Sequence, residues 1–231
     1  MPGLRAFAFT FAVVSFASTA VAEDAVKTDQ PAAPANPPIQ VSRGDSWAYD
    51  LRDDVTDEAK GSIVFEVTKI TDAGIETQVT RQIFATHAKT TSSELFDTRW
   101  RMKDNAKFLF SPHLDSTGAP DDLQVGKSWS FKYEAQRKGA AQTQEFSGVG
   151  KVAAWERVTL PNGAAYDAFK IDVAAAPRSA PAGRKVELHA MMWFAPAVNR
   201  VVKRVDESRV DGKLRDASEQ TLRAYKPAAK I

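Results

Sequence analysis

The 231-residue sequence contains no cysteine. Its absence excludes disulfide bonds, thiol redox chemistry and every metal site that needs a thiolate ligand. Only three histidines are present, His87, His113 and His189, and they stand far apart. None of them lies three residues after an aspartate, so the Asp-x-x-His pair of one serine hydrolase family is missing. We therefore expect no metal, no cofactor and a fold that depends on its hydrophobic core alone.

An excess of charge of one sign is also absent. Lysine and arginine number 31 and aspartate and glutamate 29, which gives a formal net charge of +2. Proteins that bind nucleic acid neutralise many phosphates with basic side chains, and this balance gives no such field. We exclude nucleic acid as a partner. After residue 22 no apolar run approaches the roughly 20 residues of a membrane-spanning helix, so we expect the chain not to span a membrane.

Residues 1–22 have the pattern of a secretory signal peptide. Arg5 precedes a short apolar run over residues 6–17, and Ala20-Val21-Ala22 forms a cleavage site. Because cysteine is absent, the lipid attachment of bacterial lipoproteins is excluded. The pattern predicts cleavage after Ala22 and a periplasmic or secreted protein that is not a lipoprotein.

The rest of the chain divides by composition into three parts. Residues 23–40 are rich in proline and alanine and too poor in large apolar residues to fold, so we interpret them as a linker. Residues 41–225 form a single domain in which apolar residues recur with a period of two. Asn-Gly and Asp-Gly pairs provide hairpin turns. The pattern predicts an all-β antiparallel meander that forms a sandwich or partial barrel, followed by a short tail over residues 226–231.

Two octets of the domain resemble each other. "GDSWAYDL" begins at Gly44 and "GKSWSFKY" begins at Gly126. We interpret both as strand starts, in which glycine allows the turn and Trp47 and Trp129 anchor the core. The repeat predicts two similar β units in tandem, over residues 41–117 and 121–225. Coincidence of two strand starts is the alternative.

The segment from 121 to 205 resembles a known group of sequences. "DDLQVGKSW", "WERVTLPNGAAYDAFKI" and "WFAPAVNRVVKRV" are similar to motifs of exported bacterial β proteins that are classified only as a domain of unknown function. Asn199 stands where that group prefers glycine. The resemblance implies an exported β domain, and it implies no activity, cofactor or catalytic residue.

Two stretches are candidate ligand or partner patches. The first alternates basic and apolar residues, which suits an anionic amphiphile such as a lipid, or alternatively marks a charged edge strand. Its residues are Arg99, Trp100, Arg101 and Lys103. The second lies on one face of a predicted strand and suggests a partly exposed surface, unless both faces of that strand are covered. Its residues are His189, Met191 and Trp193.

These observations favour a non-catalytic exported domain that binds a hydrophobic or amphipathic ligand or another cell-envelope component. One alternative is an interaction or assembly protein that contacts an envelope protein through edge strands and the C-terminal hairpin of residues 200–225. A hydrolase with unrecognised carboxylates is the other. The Gly-Asp-Ser of the first octet does not support it, because Lys127 replaces Asp45 in the second octet. The sequence leaves the oligomeric state open.

Overall fold

The computed structural model describes residues 31–35, 38–114, 123–179 and 183–229, and of residues 113 and 114 it describes the backbone only. The predicted signal peptide, its cleavage site after Ala22 and the first part of the predicted linker lie outside the described residues. No helix in the described part of the chain is long and apolar enough to span a membrane.

The described residues form twelve β-strands and one short 3-10 turn, Pro196–Val198. The strands are β1 Ser46–Asp53, β2 Ala59–Thr71, β3 Gly74–Ile83, β4 Ala88–Phe96, β5 Met102–Asp104, β6 Phe108–Leu114, β7 Ser128–Arg137, β8 Thr143–Thr159, β9 Ala165–Pro177, β10 Val186–Ala195, β11 Arg200–Val210 and β12 Lys213–Lys226. Each pairs antiparallel with the strands that precede and follow it in sequence. β12 also pairs with β1, so the meander closes into a barrel.

The all-β antiparallel prediction is confirmed, and the closed barrel replaces the expected sandwich or partial barrel. Closure comes from a ladder between β1 and β12 that runs from Ser46 opposite Lys226 to Asp53 opposite Ser218, with one shift of register between Ala48 and Tyr49. The C-terminal hairpin is therefore part of the barrel wall. Each strand of the described residues has a partner on both sides, so none is an edge strand. The expected contact with a partner through edge strands is therefore wrong for this part of the chain.

Alternation along the strands fills the barrel, as the period of two predicts. Buried apolar side chains of β1, β2, β3, β7, β9 and β10 point inward and form one core. They include Trp47, Tyr49, Phe65, Val79, Phe131, Phe169, Ile171, Met192 and Phe194. The two proposed units, β1 to β6 and β7 to β12, thus share a single sheet and a single core.

The two similar octets open their strands with the same hydrogen bonds. Gly44 has a φ of 96° and Gly126 a φ of 90°, a region that side chains disfavour. The Gly44 amide donates to the carbonyl oxygen of Val67 at 2.8 Å, and the Gly126 amide donates to that of Val152 at 2.8 Å. The shared sequence therefore encodes a shared turn into a strand. Whether it also records a duplication stays a prediction.

The two tryptophans of these octets differ in their surroundings. Trp47 is fully buried, and its indole Nε1 donates to the carbonyl oxygen of Val198 at 2.9 Å. Trp129 is partly exposed and lies against the backbone of Gly150 on the neighbouring strand. A Cβ atom at Gly150 would lie 2.2 Å from the Trp129 ring, so this contact requires glycine.

Asp45 of the first octet ties the two ends of the domain together. Its carboxylate is buried and accepts hydrogen bonds from the amides of Ser42 and Ala228, both at 2.7 Å. The segment before it also contacts the barrel: Ile39 packs against the core and Trp155 Nε1 donates to the carbonyl oxygen of Pro31 at 2.8 Å. The described part of the predicted linker is therefore docked on the barrel rather than free of it.

Candidate binding cavity

A cavity of about 230 Å³ lies inside the barrel, between the wall formed by β1 to β5 and the wall formed by β10 to β12. One part of its lining is apolar and is formed by Ile63, Phe65, Phe96, Trp100, Met102 and Phe194. Another part carries charged or amide groups and is formed by Arg81, Glu94, Arg200, Arg204, Asp206 and Gln220. Such a mixture of aromatic surface and a few polar groups is typical of small-molecule sites.

Arg200 is the most buried cation of this lining, with 9% of its surface exposed. It is the first residue of β11 and follows Asn199, whose left-handed φ of 53° ends the 3-10 turn. Its guanidinium carbon lies 4.1 Å from the ring centres of both Phe65 and Trp100. The ring centres of Trp47 and Phe96 lie at 5.3 Å and 5.4 Å. Cation–π attraction to four rings therefore holds this side chain in place.

The charge of Arg200 is shaped by burial and by two neighbours. Burial lowers the pKa of its guanidinium, and interactions with Tyr49 and Glu94 oppose that effect. The Tyr49 hydroxyl donates to the carbonyl oxygen of Val201 at 2.8 Å. Burial raises the pKa of Tyr49 to about 12, although Arg200 acts in the opposite direction. Tyr49 is accordingly neutral, and Arg200 keeps its charge because arginine titrates so far above neutral pH.

Glu94 brings a negative charge into the same cavity, and 2% of its side chain is exposed. Its Oε1 accepts a hydrogen bond from Arg81 Nη2 at 2.5 Å. Among the residues that the structure describes, neither Glu94 Oε2 nor Arg200 Nη1 has a hydrogen-bond partner, although both atoms are buried. Buried polar atoms normally have a hydrogen-bond partner. The lining of this cavity therefore contains one acceptor and one donor whose hydrogen-bonding capacity is unused.

Arg204 and Asp206 complete the charged part of the lining. Arg204 donates through Nε and Nη2 to the two oxygens of Asp206, both at 2.6 Å. Burial would lower the pKa of Arg204, but the Asp206 carboxylate outweighs it and the pKa is raised. Asp206 is 40% exposed and Arg81 is 35% exposed, so these two residues mark the side of the cavity that solvent reaches.

The structure places the four residues of the first predicted patch in different surroundings. Residues 97–101 form a turn between β4 and β5, so the predicted strand with one basic and one apolar face is wrong here. The Asp97 carboxylate shapes the turn by accepting from the amides of Arg99 and Arg101, at 2.8 Å and 2.9 Å. Of the four residues only Trp100 lines the cavity, and 2% of its surface is exposed.

The basic members of that patch have structural partners. Arg101 Nε donates to Asp97 at 2.6 Å. Lys103 donates to the carbonyl oxygen of Ala73 at 2.8 Å. Because β5 pairs with both β4 and β6, the alternative interpretation as an edge strand is also wrong.

The second predicted patch lies on the outer face of β10, and its tryptophan is covered. Trp193 is 8% exposed, and its Nε1 donates to Glu156 Oε1 at 2.6 Å. The Nζ atoms of Lys170 and Lys203 lie 5.3 Å and 5.5 Å from its ring centre. The expected exposure of Trp193 is therefore wrong, because lysine stems from the neighbouring strands lie over the indole. Met191, on the same face, is partly exposed.

His189 forms a pair with Asp172 on this outer face, with Nε2 2.5 Å from Oδ1. The two side chains are 41% and 48% exposed. In the described part of the chain His189 has no second hydrogen-bond partner, so no hydroxyl is positioned as a nucleophile. The same residues contain no group of three or more histidines and carboxylates arranged to hold a metal ion.

A wider groove of about 990 Å³ crosses β7 to β10 and includes His189 in its lining. Much of that lining consists of small side chains, such as those of Gly148, Ala174 and Ala176. Within the described residues it has no buried polar atom that lacks a partner. We therefore take the smaller internal cavity as the candidate site.

The structure thus brings Trp100 together with charged residues that were not predicted from the sequence. The signal in the sequence that indicates these charged residues is the alternation of inward and outward side chains along the strands. Arg81 shares the inward face of β3 with Val79, and Glu94 shares that of β4 with Phe96. A charged residue in the inward register of a strand indicates a polar group inside the barrel.

No protein-family model matches the chain, and no curated protein matches it. Two solved structures resemble the fold. A candidate lipoprotein from Parabacteroides distasonis ATCC 8503 is 13% identical over 82% of this chain and 97% of its own, with a TM-score of 0.56. A candidate exported protein with a YmcC-like fold from Bacteroides fragilis NCTC 9343 is 15% identical over 82% and 98%, with a TM-score of 0.53.

These identities show a shared fold and nothing finer. The chain spans nearly the whole length of both structures, so the barrel as a whole is the common unit. No family model matches, so the resemblance of residues 121–205 to one group of exported β proteins stays a prediction, and the two structures bear it out only as far as the all-β fold.

Proposed function

We propose that the chain is an exported, non-catalytic β-barrel that binds one small amphipathic molecule in the cavity between β1–β5 and β10–β12. Export is supported by the pattern of residues 1–22 and by the descriptions of the two similar structures as a candidate lipoprotein and a candidate exported protein. The absence of a positioned nucleophile beside His189 in the described residues supports a binding role over a hydrolytic one.

The cavity is the observation that carries this proposal. Barrels of about eight strands are filled with side chains or hold one small ligand, and larger barrels enclose ligand cavities or channels. An engineered cavity of about 150 Å³ in another protein binds benzene. The present cavity of about 230 Å³ therefore suits a ring or a short chain of similar bulk. It is too small for a whole phospholipid, which narrows the predicted lipid-like ligand to a small amphiphile.

Toluene titration followed by methyl-detected NMR tests this proposal. We expect the methyl signals of Ile63 and Val201, which line the cavity, to shift saturably as toluene is added. The methyl signals of Val55, which is 67% exposed between β1 and β2 and lines neither the cavity nor the wider groove, serve as the reference and stay unchanged.

A pair of substitutions separates cavity binding from surface adsorption. Val201→Phe fills part of the cavity and leaves the backbone carbonyl that accepts from Tyr49 in place, so it should abolish the saturable shift. Val55→Phe adds the same bulk at that exposed position and should leave binding unchanged. Equal shifts at all methyls, or saturable binding that survives in Val201→Phe, would refute a ligand site in this cavity.

A further inference from the structure

We infer that the polar end of the ligand is a neutral group that both donates and accepts a hydrogen bond, such as a hydroxyl or a carboxamide. In this arrangement it donates to Glu94 Oε2 and accepts from Arg200 Nη1. The inference rests on the proposed function, because it assigns the chemistry of a ligand bound in the same cavity.

The two unpartnered atoms are the basis of the inference. Glu94 Oε2 can only accept a hydrogen bond when the carboxylate is ionised, and Arg200 Nη1 can only donate. Both are buried, both lack a partner among the described residues, and both residues line the cavity. The guanidinium carbon of Arg200 lies 5.4 Å from the ring centre of Phe96, and Glu94 shares the inward face of β4 with Phe96, so both charged groups lie at the same part of the cavity. One ligand group that donates and accepts would satisfy both atoms.

The surroundings hold these two atoms in place before a ligand arrives. Glu94 is fixed by its hydrogen bond to Arg81, which in turn reaches Ser92 Oγ at 3.4 Å. Arg200 is fixed by the rings of Phe65 and Trp100. In the described part of the chain no hydrogen bond or ion pair joins Glu94 and Arg200. A binding site built from such preorganised groups loses little conformational entropy when it is filled.

The charged residues that line the cavity favour a neutral polar group on the ligand over an ionic one. Three arginines and two carboxylates line the cavity. Arg204 is paired with Asp206 and Arg81 with Glu94 Oε1, so the atoms that still lack a partner in the described residues are Glu94 Oε2 and Arg200 Nη1. A carboxylate ligand would pair with Arg200 but would repel Glu94 and leave its Oε2 without a donor. An ammonium ligand would pair with Glu94 and repel Arg200. Leaving a buried charged group unsatisfied costs more than a typical hydrogen bond gains, so a neutral group that serves both is favoured.

A matched series of small aromatic ligands tests the inference by the same NMR titration. Benzyl alcohol and benzamide donate and accept, benzyl methyl ether only accepts, and toluene does neither. Benzoate and benzylammonium carry one charge each. We expect benzyl alcohol or benzamide to bind roughly ten- to a hundredfold more tightly than toluene and the ether, which is the range for hydrogen bonds to charged groups. We expect neither ion to bind more tightly than toluene.

Two substitutions test whether the tighter binding of benzyl alcohol depends on Glu94 and Arg200. In Glu94→Gln the acceptor charge is removed, and in Arg200→Met the donor is removed while a long apolar stem is kept. Either change should reduce the advantage of benzyl alcohol over toluene at least tenfold while toluene still binds. Toluene binding reports that the cavity has survived, so Glu94→Gln remains a complete test if Arg200→Met does not fold.

The outcomes separate this inference from the proposed function. Toluene binding with benzoate as the tightest ligand would overturn the neutral group and replace it with an anion. Toluene binding without any preference for benzyl alcohol would also overturn the inference and leave the cavity as an apolar site. Absence of saturable binding by all six ligands would overturn the proposed function as well.

Discussion

The guanidinium carbon of Arg200 lies 4.1 Å from the centre of the Trp100 indole ring, inside the barrel and almost out of contact with solvent. Trp100 is a predicted site residue, whereas the sequence identifies Arg200 only as part of the C-terminal hairpin of residues 200–225. Their contact brings the turn between β4 and β5 against the start of β11. The candidate site therefore depends on closure of the barrel, which joins segments about 100 residues apart in sequence.

Trp47 and Trp129 occupy equivalent positions in the two similar octets, but their truncation should have unequal effects. Trp47 is fully buried, so Trp47→Ala should lower the free energy of unfolding by about 3–5 kcal/mol. Trp129 is partly exposed, so Trp129→Ala should cost roughly half as much. Urea denaturation of both variants measures the difference. Equal losses would contradict the asymmetry of burial.

Asp45 should matter for stability and not for chemistry. Asp45→Ala removes the acceptor of two backbone amides, those of Ser42 and Ala228, and should cost about 2–4 kcal/mol. Lys127 stands at the equivalent position of the second octet and is exposed, so Lys127→Ala should change stability by about 0.5 kcal/mol or less. Thermal and urea denaturation of both variants provide the comparison. A loss of stability in Lys127→Ala as large as in Asp45→Ala would show that the buried carboxylate has no special role.

Gly150 should tolerate no side chain while Trp129 is present. A Cβ atom there would meet the indole ring, so Gly150→Ala should destabilise the protein by about 1–3 kcal/mol. In a Trp129→Ala background the same substitution should cost much less, because the clashing ring is gone. A double-mutant cycle in urea measures the coupling. Additive effects would mean that the backbone of β8, and not the ring, requires glycine.

Tyr49 and Tyr133 should ionise only at a pH well above that of an ordinary tyrosine. Burial raises the pKa of each to about 12, from the ordinary value of 10.0. A folded-state pKa above the unfolded one means that both contributions to stability are complete below about pH 10. They are lost as the pH rises from about 10 to about 12.

Ultraviolet titration of the phenolate absorbance tests this directly. Of the four tyrosines, we expect Tyr49 and Tyr133 to remain un-ionised well above pH 10 in the folded protein and to ionise together with unfolding. Burial also raises the pKa of Tyr225, so its phenol should ionise above the ordinary pH as well. Tyr49→Phe should remove part of the alkaline loss of stability. Ionisation of all four near pH 10 in a folded protein would contradict the burial of these phenols.

Much of the fold could be predicted because it is encoded locally. A period of two, glycine at the turn positions and Asn-Gly or Asp-Gly pairs define antiparallel hairpins within a few residues of each other. Closure could not be predicted in this way. It depends on whether Ser46 meets Lys226, and no local pattern describes a pairing between the two ends of a chain.

The surroundings of the candidate site residues were harder to predict than the strands, for a related reason. The alternation of Arg99, Trp100 and Arg101 resembled a strand, but the Asp97 carboxylate bonds two following amides and turns the chain instead. Trp193 shares one face of β10 with His189 and Met191, as the alternation predicts, yet the lysines that cover it come from two other strands. Side-chain contacts between strands decide both outcomes, and they appear only when the register is known.

Native mass spectrometry of the mature protein, purified from its own host, tests the central proposal most directly. We predict a reproducible additional mass of a small neutral molecule that is released on denaturation and is absent from the Val201→Phe variant. A mass equal to that of the bare polypeptide in the wild type would contradict a resident ligand. A bound mass that persists unchanged in Val201→Phe would contradict the cavity as its site.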